Sequence, residues 1–201
     1  MAPSPSSPTQ IAIRELFEAS LRAKTVFLDE NVALLERAVN LVTEALTAQR
    51  KVLLFGNGGS AADAQHIAAE FVGRFMRERR PLAAIALTTD TSALTAIAND
   101  YGYDEVFARQ VRALGVAGDV AVALSTSGRS PNVLRAVETC KELGIKTIGL
   151  TGGDGGQLTG KVDLSLRVSA SRLSPHIQET HILIGHVICE LVDRRLFGER
   201  T

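Results

Sequence analysis

Two side chains of opposite acid–base character, His66 and Glu70, stand four residues apart in the stretch FGNGGSAADAQHIAAEF (Phe55–Phe71). That spacing puts an imidazole and a carboxylate on one face of a helix, a turn apart. Together they can relay a proton or share a metal ion. An exposed ion pair is the ordinary use of such spacing. Here Ala64, Ile67, Ala68, Ala69 and Phe71 make most of the segment apolar, so the pair is expected to be substantially buried, where ionisable groups need a reason. A second cluster lies in HIQETHILIGH, which carries Gln178, Glu179, His181 and His186. A lone core histidine usually bonds a carbonyl; beside the first cluster, His186 becomes a candidate acid/base or metal ligand. Gln178 and His186 lie about 12 Å apart along a straight helix. Both can reach one small ion only if their side chains turn inward, the helix bends, or two copies of the chain supply them.

Two loops could hold the reactant. Gly56-Asn57-Gly58-Gly59-Ser60 follows an apolar run and opens the His66 helix. Its glycines permit close backbone approach, and free N–H groups at a helix start attract anions. Gly56, Gly58 and Ala61 loosely fit a dinucleotide fingerprint, but the acidic residue expected about 20 positions on is missing. The nearest candidate, Asp90, lies too far along, and the Gly-Lys-Ser/Thr of a phosphate-binding P-loop is absent. The second loop, Ser125-Thr126-Ser127-Gly128-Arg129-Ser130, offers four hydroxyls beside another helix start. Such a loop can be a turn with an N-cap. Facing a glycine loop, it favours a phosphate monoester held without lysine.

The elements that must position these residues follow from periodicity. Ile11–Asn31 and Val32–Gln49 read as two N-terminal helices. KVLLF, LAAIAL, DVAVAL, KTIGLT and DLSLRV read as strands. Between them stand helices over 60–77, SALTAIAND, EVFARQVRAL and NVLRAVETCKELG, the last stopped by Gly144. A long final helix begins at SPHIQ, with Ser174 as its expected cap and Pro175 at its first helical position. Alternating strands and helices imply a parallel sheet covered on both faces, with ligands outside the carboxyl ends of the strands. Residues 1–10 are expected to form a disordered tail, and 11–201 a single domain.

Totals exclude several classes. The 201 residues are 45% apolar and 22% charged with zero net charge, so nothing argues for a nucleic-acid or acidic-membrane partner. Cys140 and Cys189 have no metal spacing and form no disulfide framework, which suits a reducing, cytoplasmic setting. No segment approaches the roughly 18 apolar residues of a membrane span, and the N-terminus lacks the pattern of a secretory signal.

GNGGSAADAQHIAAEF, LTTDTSALTAIANDYGYDEVFARQV, STSGRSPN, LTGGDGG and IQETHILIGHVICEL, in this order, resemble the phosphoheptose isomerases of the sugar isomerase (SIS) superfamily. The resemblance runs from Ile11 to Gly198. It implies an α/β fold, a three-layer αβα sandwich around a five-stranded parallel sheet of the doubly wound, flavodoxin-like kind. It also implies a homotetramer with sites at subunit interfaces, acting in the cytoplasm. The implied reaction converts sedoheptulose 7-phosphate to D-glycero-D-manno-heptose 7-phosphate through an enediol, the first step toward the heptoses of bacterial lipopolysaccharide core or surface glycans. Carried over by position, Asn57, Gly58, Gly59, Asn99 and Asp100 would line the sugar pocket, and Ser125, Thr126, Ser127 and Ser130 would bind the phosphate. His66, Glu70, Gln178 and His186 would hold one Zn2+ per subunit, with Gln178 and Glu70 also facing the sugar. Glu70 and His186 would be the proton-transfer pair. A zinc-bound Glu70 is a poorer base, so its two implied roles stand in tension. Arg129 either adds charge to the phosphate loop or points to solvent. A non-catalytic relative that binds the replication initiator keeps the loops but lacks the counterparts of Glu70 and His186; both are present here.

Overall fold

The computed structural model describes residues 7–198. The expected tail lies outside the described residues for positions 1–6, whereas Ser7 to Gln10 already belong to a helix start. Ser7 caps helix α1 (Pro8–Thr47): its hydroxyl accepts from Gln10 N, and the Gln10 side chain accepts from Ser7 N. The two expected N-terminal helices are therefore one, 40 residues long. Asn31, read as their boundary, is buried within the helix. Its amide donates to Phe27 O one turn back at 2.9 Å and, at 3.4 Å, to Arg167 O of a strand. A satisfied amide removes the usual objection to asparagine inside a helix.

Strand β1 (Val52–Gly56) leads to α2 (Gly59–Val72), β2 (Ala84–Ala86), α3 (Thr91–Tyr101) and α4 (Val106–Leu114). Strand β3 (Val120–Leu124) is followed by α5 (Pro131–Glu142), β4 (Lys146–Gly152), β5 (Leu164–Val168) and α6 (Ser174–Phe197). The sheet order is β2-β1-β3-β4-β5, with every pair parallel. β1 and β3 pair from Val52↔Val120 to Gly56↔Leu124, so the chain reverses its winding between them. In this arrangement the crevice at the carboxyl ends of β1 and β3 is the expected ligand site.

Alternation along the strands divides the core. Val52, Leu54, Val120, Val122 and Ile148 pack beneath α1, α2 and α6. Leu53, Phe55, Ala121 and Ala123 pack beneath α4 and α5. Each large apolar side chain buried this way contributes about 1.5–3 kcal/mol.

Two ends differ from expectation. α2 stops at Val72 rather than Arg77, because Gly73 closes it with a bond from its N–H to Ala69 O at 2.8 Å. At the start of α6, Leu173 holds the cap position and Ser174 is the first helical residue, with no side-chain cap. The nearby hydroxyl that bonds this turn is Ser171, which accepts from Leu173 N.

Candidate active site

The loops after β1 and β3 meet at the crevice. Asn57 and Asn132 exchange two amide hydrogen bonds of 2.9 Å, and the Tyr103 hydroxyl donates to Asn57 Oδ1 at 3.2 Å. Asn132 also accepts from Val133 N, so the same side chain ties α5 to the glycine loop. Neither Asn132 nor Tyr103 stood out in the sequence reading; each acts through a partner dozens of residues away. Gly58 takes φ +57 at the α2 cap. At Gly59 a Cβ would fall on the Gln178 side-chain amide, so the amide as placed rests directly on the start of α2. Asn99 and Asp100 are exposed on the last turn of α3 and bond to one another at 2.8 Å.

In the hydroxyl loop, Ser125 Oγ accepts from Gly128 N at 3.1 Å and lies 3.2 Å from Ser130 Oγ. Ser127 Oγ accepts from Arg129 N at 3.2 Å. Ser130 occupies the α5 cap position, yet its side chain makes no capping bond. That hydroxyl is thus turned toward Ser125 rather than spent on the helix. Thr126 and Ser127 line a cavity of about 350 Å³, bordered by Gly152–Asp154 and by Arg129 and Arg172. Arg129 therefore faces a cavity as well as solvent, donating to Asp154 at 2.5 Å. This hydrogen bond holds the Asp154 carboxyl down at about 2. Two guanidinium groups against one carboxylate leave the rim positive.

The other centre lies where α2 and α6 run side by side. His66 Nε2 is 3.1 Å from Glu70 Oε1 and 3.1 Å from His186 Nε2. Phe75 stacks on the His186 ring with centroids 5.5 Å apart. The pair is less buried than the sequence implied: the His66 side chain is 51% exposed and that of Glu70 24%. Ala64, Ile67, Ala68 and Phe71 take the core-facing side of α2 and leave this stripe on its outer edge.

His66 Nε2 faces both Glu70 Oε1 and His186 Nε2, and one nitrogen cannot donate to the first while accepting from the second. A shared cation meets all three. Their ligand atoms lie within 4.8 Å of one another. Tetrahedral zinc with bonds near 2.0–2.1 Å needs neighbouring donors about 3.4 Å apart. A set of two histidines and one glutamate leaving an open position matches catalytic zinc, so the residues present fit the ion. Gln178 is outside the cluster within one subunit: it sits against Gly59, two turns of α6 before His186.

The remaining histidines of α6 have structural partners. His181 is fully buried, with Nε2 3.1 Å from Thr151 O, and burial pushes its pKa down to about 4. His176 Nδ1 lies 3.4 Å from Ser171 Oγ. Asp63 was missed in the sequence, although it precedes His66 by one turn in the stretch first noticed. One of its carboxylate oxygens is buried without a hydrogen-bond partner. Its pKa is raised by burial, with His66 opposing.

A family model of the SIS domain matches residues 16–152. A phosphoheptose isomerase from Thermodesulfovibrio yellowstonii is 52% identical over 185 residues, covering 92% of each chain. The structure of a phosphoheptose isomerase from Neisseria gonorrhoeae is 47% identical and superposes with a TM-score of 0.86, covering 92% of this chain and 98% of that one. One from Francisella tularensis is 39% identical with a TM-score of 0.89, covering 94% and 100%.

Proposed function

The chain belongs to the phosphoheptose isomerases of the SIS superfamily, and from that premise we propose that it interconverts sedoheptulose 7-phosphate and D-glycero-D-manno-heptose 7-phosphate. The observation that carries the mechanism is the meeting of Glu70 and His186 around His66. Aldose–ketose isomerisation moves one proton between adjacent carbons and another between their oxygens. Glu70 takes the carbon-bound proton and returns it to the neighbouring carbon. His186 Nε2 is turned toward His66, so Nδ1 is the nitrogen that serves the oxygens, passing the proton between them as the enediol forms. Glu70 Oε1 faces His66, so its second oxygen is the one that handles the proton, which eases the tension between ligand and base. The hydroxyls of Ser125, Thr126, Ser127 and Ser130, with the amides at the start of α5, hold the phosphate. Asn57, Gly58, Gly59, Asn99 and Asp100 line the sugar.

His66, Glu70 and His186 would hold one zinc ion per subunit, with Gln178 of another subunit as the further ligand. When bound, the metal supplies Lewis-acid stabilisation of negative charge on the substrate oxygens. An interface site is supported by distance. Along α2, Glu70 lies eleven residues beyond Gly59, about 16 Å. The loops and the proton-transfer pair thus sit at opposite ends of that helix. The homotetramer is supported by the apolar surface of α1, where Leu16, Phe17, Leu21 and Val32 are all at least 60% exposed, the kind of patch that marks an interface. No helix among the described residues is long and apolar enough to cross a membrane. Action in the cytoplasm on the route to surface heptoses completes the reading. The non-catalytic alternative is disfavoured, since Glu70 and His186 meet here and the relatives are named isomerases. Product formation from sedoheptulose 7-phosphate, with and without chelator, tests the proposal. Turnover that chelator abolishes and zinc restores is expected. No turnover under either condition by an assembled protein would overturn it.

A further inference from the structure

Arg79 and Asp193 form an ion pair of 2.7 Å whose side chains are 1% and 2% exposed. Nothing in the isomerase mechanism calls for a charged pair there, and burying one is expensive unless every donor is used. The guanidinium spends its donors in a particular way. Nη2 donates to Glu70 O at 2.8 Å, and Nη1 donates to Phe71 O at 2.9 Å and Gly73 O at 3.1 Å. These are carbonyls of the last turn and C-cap of α2, which the helix itself leaves unpaired. α2 has no basic residue in its last turn, so Arg79 also supplies the cation that a helix C-terminus favours. Nε is left for Asp193 Oδ1.

Asp193 lies seven residues after His186, two turns along the same face of α6. One planar group therefore fastens the backbone of Glu70 to the helix that carries His186. On the other side of the cluster the helices touch at Gly185, where Ile67 lies against the backbone. The His66–Glu70–His186 centre is held between these two points. We propose that Arg79, anchored by Asp193, is a positioning residue for the isomerisation: it sets the separation of Glu70 and His186 without touching the sugar. This rests on the assignment of Glu70 and His186 as the proton-transfer pair.

The fork geometry matters more than the charge. A lysine keeps the positive charge and can pair with Asp193, but a single ammonium cannot also reach the α2 carbonyls in a fixed plane. Displacements of about 1 Å at a reacting centre cost on the order of 100-fold in rate. Binding of the phosphate, by loops at the far end of α2, is untouched.

The test is steady-state kinetics of the intact assembly with sedoheptulose 7-phosphate, alongside thermal unfolding. Arg79→Lys is expected to lower kcat at least tenfold and leave KM within about twofold. Val111→Ala, in the core beneath α4 on the opposite face of the sheet, serves as the control for lost stability and is expected to keep kcat. A second variant, Arg79→Met with Asp193→Leu, removes both charges together, a change that buried pairs often tolerate. It is expected to fold and to show the same loss of kcat. A kcat within twofold of wild type in either folded variant overturns the proposal. So does a matching loss of kcat in Val111→Ala, or failure of both Arg79 variants to fold, since the pair would then be structural only. Absence of turnover by the wild type would instead fail the isomerase reading.

Discussion

Replacing Gly185 by alanine strikes the seam between α2 and α6 next to the reacting groups. A Cβ at Gly185 would lie 2.5 Å from Ile67 Cδ1 and 2.6 Å from Ile67 Cγ1. Carbon atoms prefer about 3.5–4.0 Å, so one helix retreats or Ile67 is forced into another rotamer. The overpacking costs about 1–3 kcal/mol. Alanine returns about 1 kcal/mol of helix propensity over glycine. The net loss is therefore about 0–2 kcal/mol, and at about 2–4 °C per kcal/mol for a chain of this size the melting temperature falls by less than about 8 °C. Activity is expected to fall much further. Ile67 and Gly185 are the immediate chain neighbours of His66 and His186, so the added methyl spreads the pair now 3.1 Å apart. A shift of about 1 Å predicts a loss in kcat on the order of 100-fold. Kinetics and melting are measured at one fixed protomer concentration, because an oligomer's stability depends on it. Gly160→Ala, where nothing lies within 4 Å, is the reference and is expected to be silent. A Gly185→Ala enzyme with kcat within threefold of wild type would refute the reasoning, because the close approach would then not set the geometry.

Two further outcomes are expected. Gly128 sits at φ +63, and a Cβ there would collide with the Gly155 carbonyl; Gly128→Ala distorts the hydroxyl loop, so KM for the sugar phosphate is expected to rise at least tenfold, and an unchanged KM would contradict the loop's assignment. His181 has a folded pKa of about 4 against an ordinary 6.5 because burial disfavours its charged form. The unfolded chain binds the extra proton between those values, so this contribution, about 3 kcal/mol, is complete above pH 6.5 and is lost as pH falls through about 4. Melting curves from pH 7 to 4.5 are expected to show a shallower decline in His181→Gln than in wild type, and equal slopes would contradict the assignment.

Local chemistry made much of this site legible. The loops after β1 and β3 declared themselves by glycines and hydroxyls, and His66 and Glu70 by helical spacing. Their union with His186 required the path of α6, which periodicity does not specify. Gln178 shows the limit: the 12 Å argument separated it from His186, and the structure seats its amide against Gly59. The two-helix reading set a boundary after Asn31, whereas a carbonyl of β5 136 residues away helps satisfy the Asn31 amide inside a single helix. Nothing in the local sequence marks Arg79 or Asp193, which stand among other charges in RERR and VDRR. Their burial rests on long-range contacts: Arg79 reaches the carbonyls at the end of α2 and Asp193, 114 residues away. The exposure of His66 was misjudged because counting apolar neighbours does not say which side of a helix meets the sheet.

The most direct measurement follows sedoheptulose 7-phosphate in heavy water by NMR, comparing wild type with Glu70→Gln. The wild-type enzyme should place deuterium on the carbon that gives up its proton. Glu70→Gln should bind the sugar phosphate with similar affinity and exchange it at least 1,000-fold more slowly, a change on the order of 4 kcal/mol in the barrier. Exchange at close to the wild-type rate would mean that some other group moves the proton.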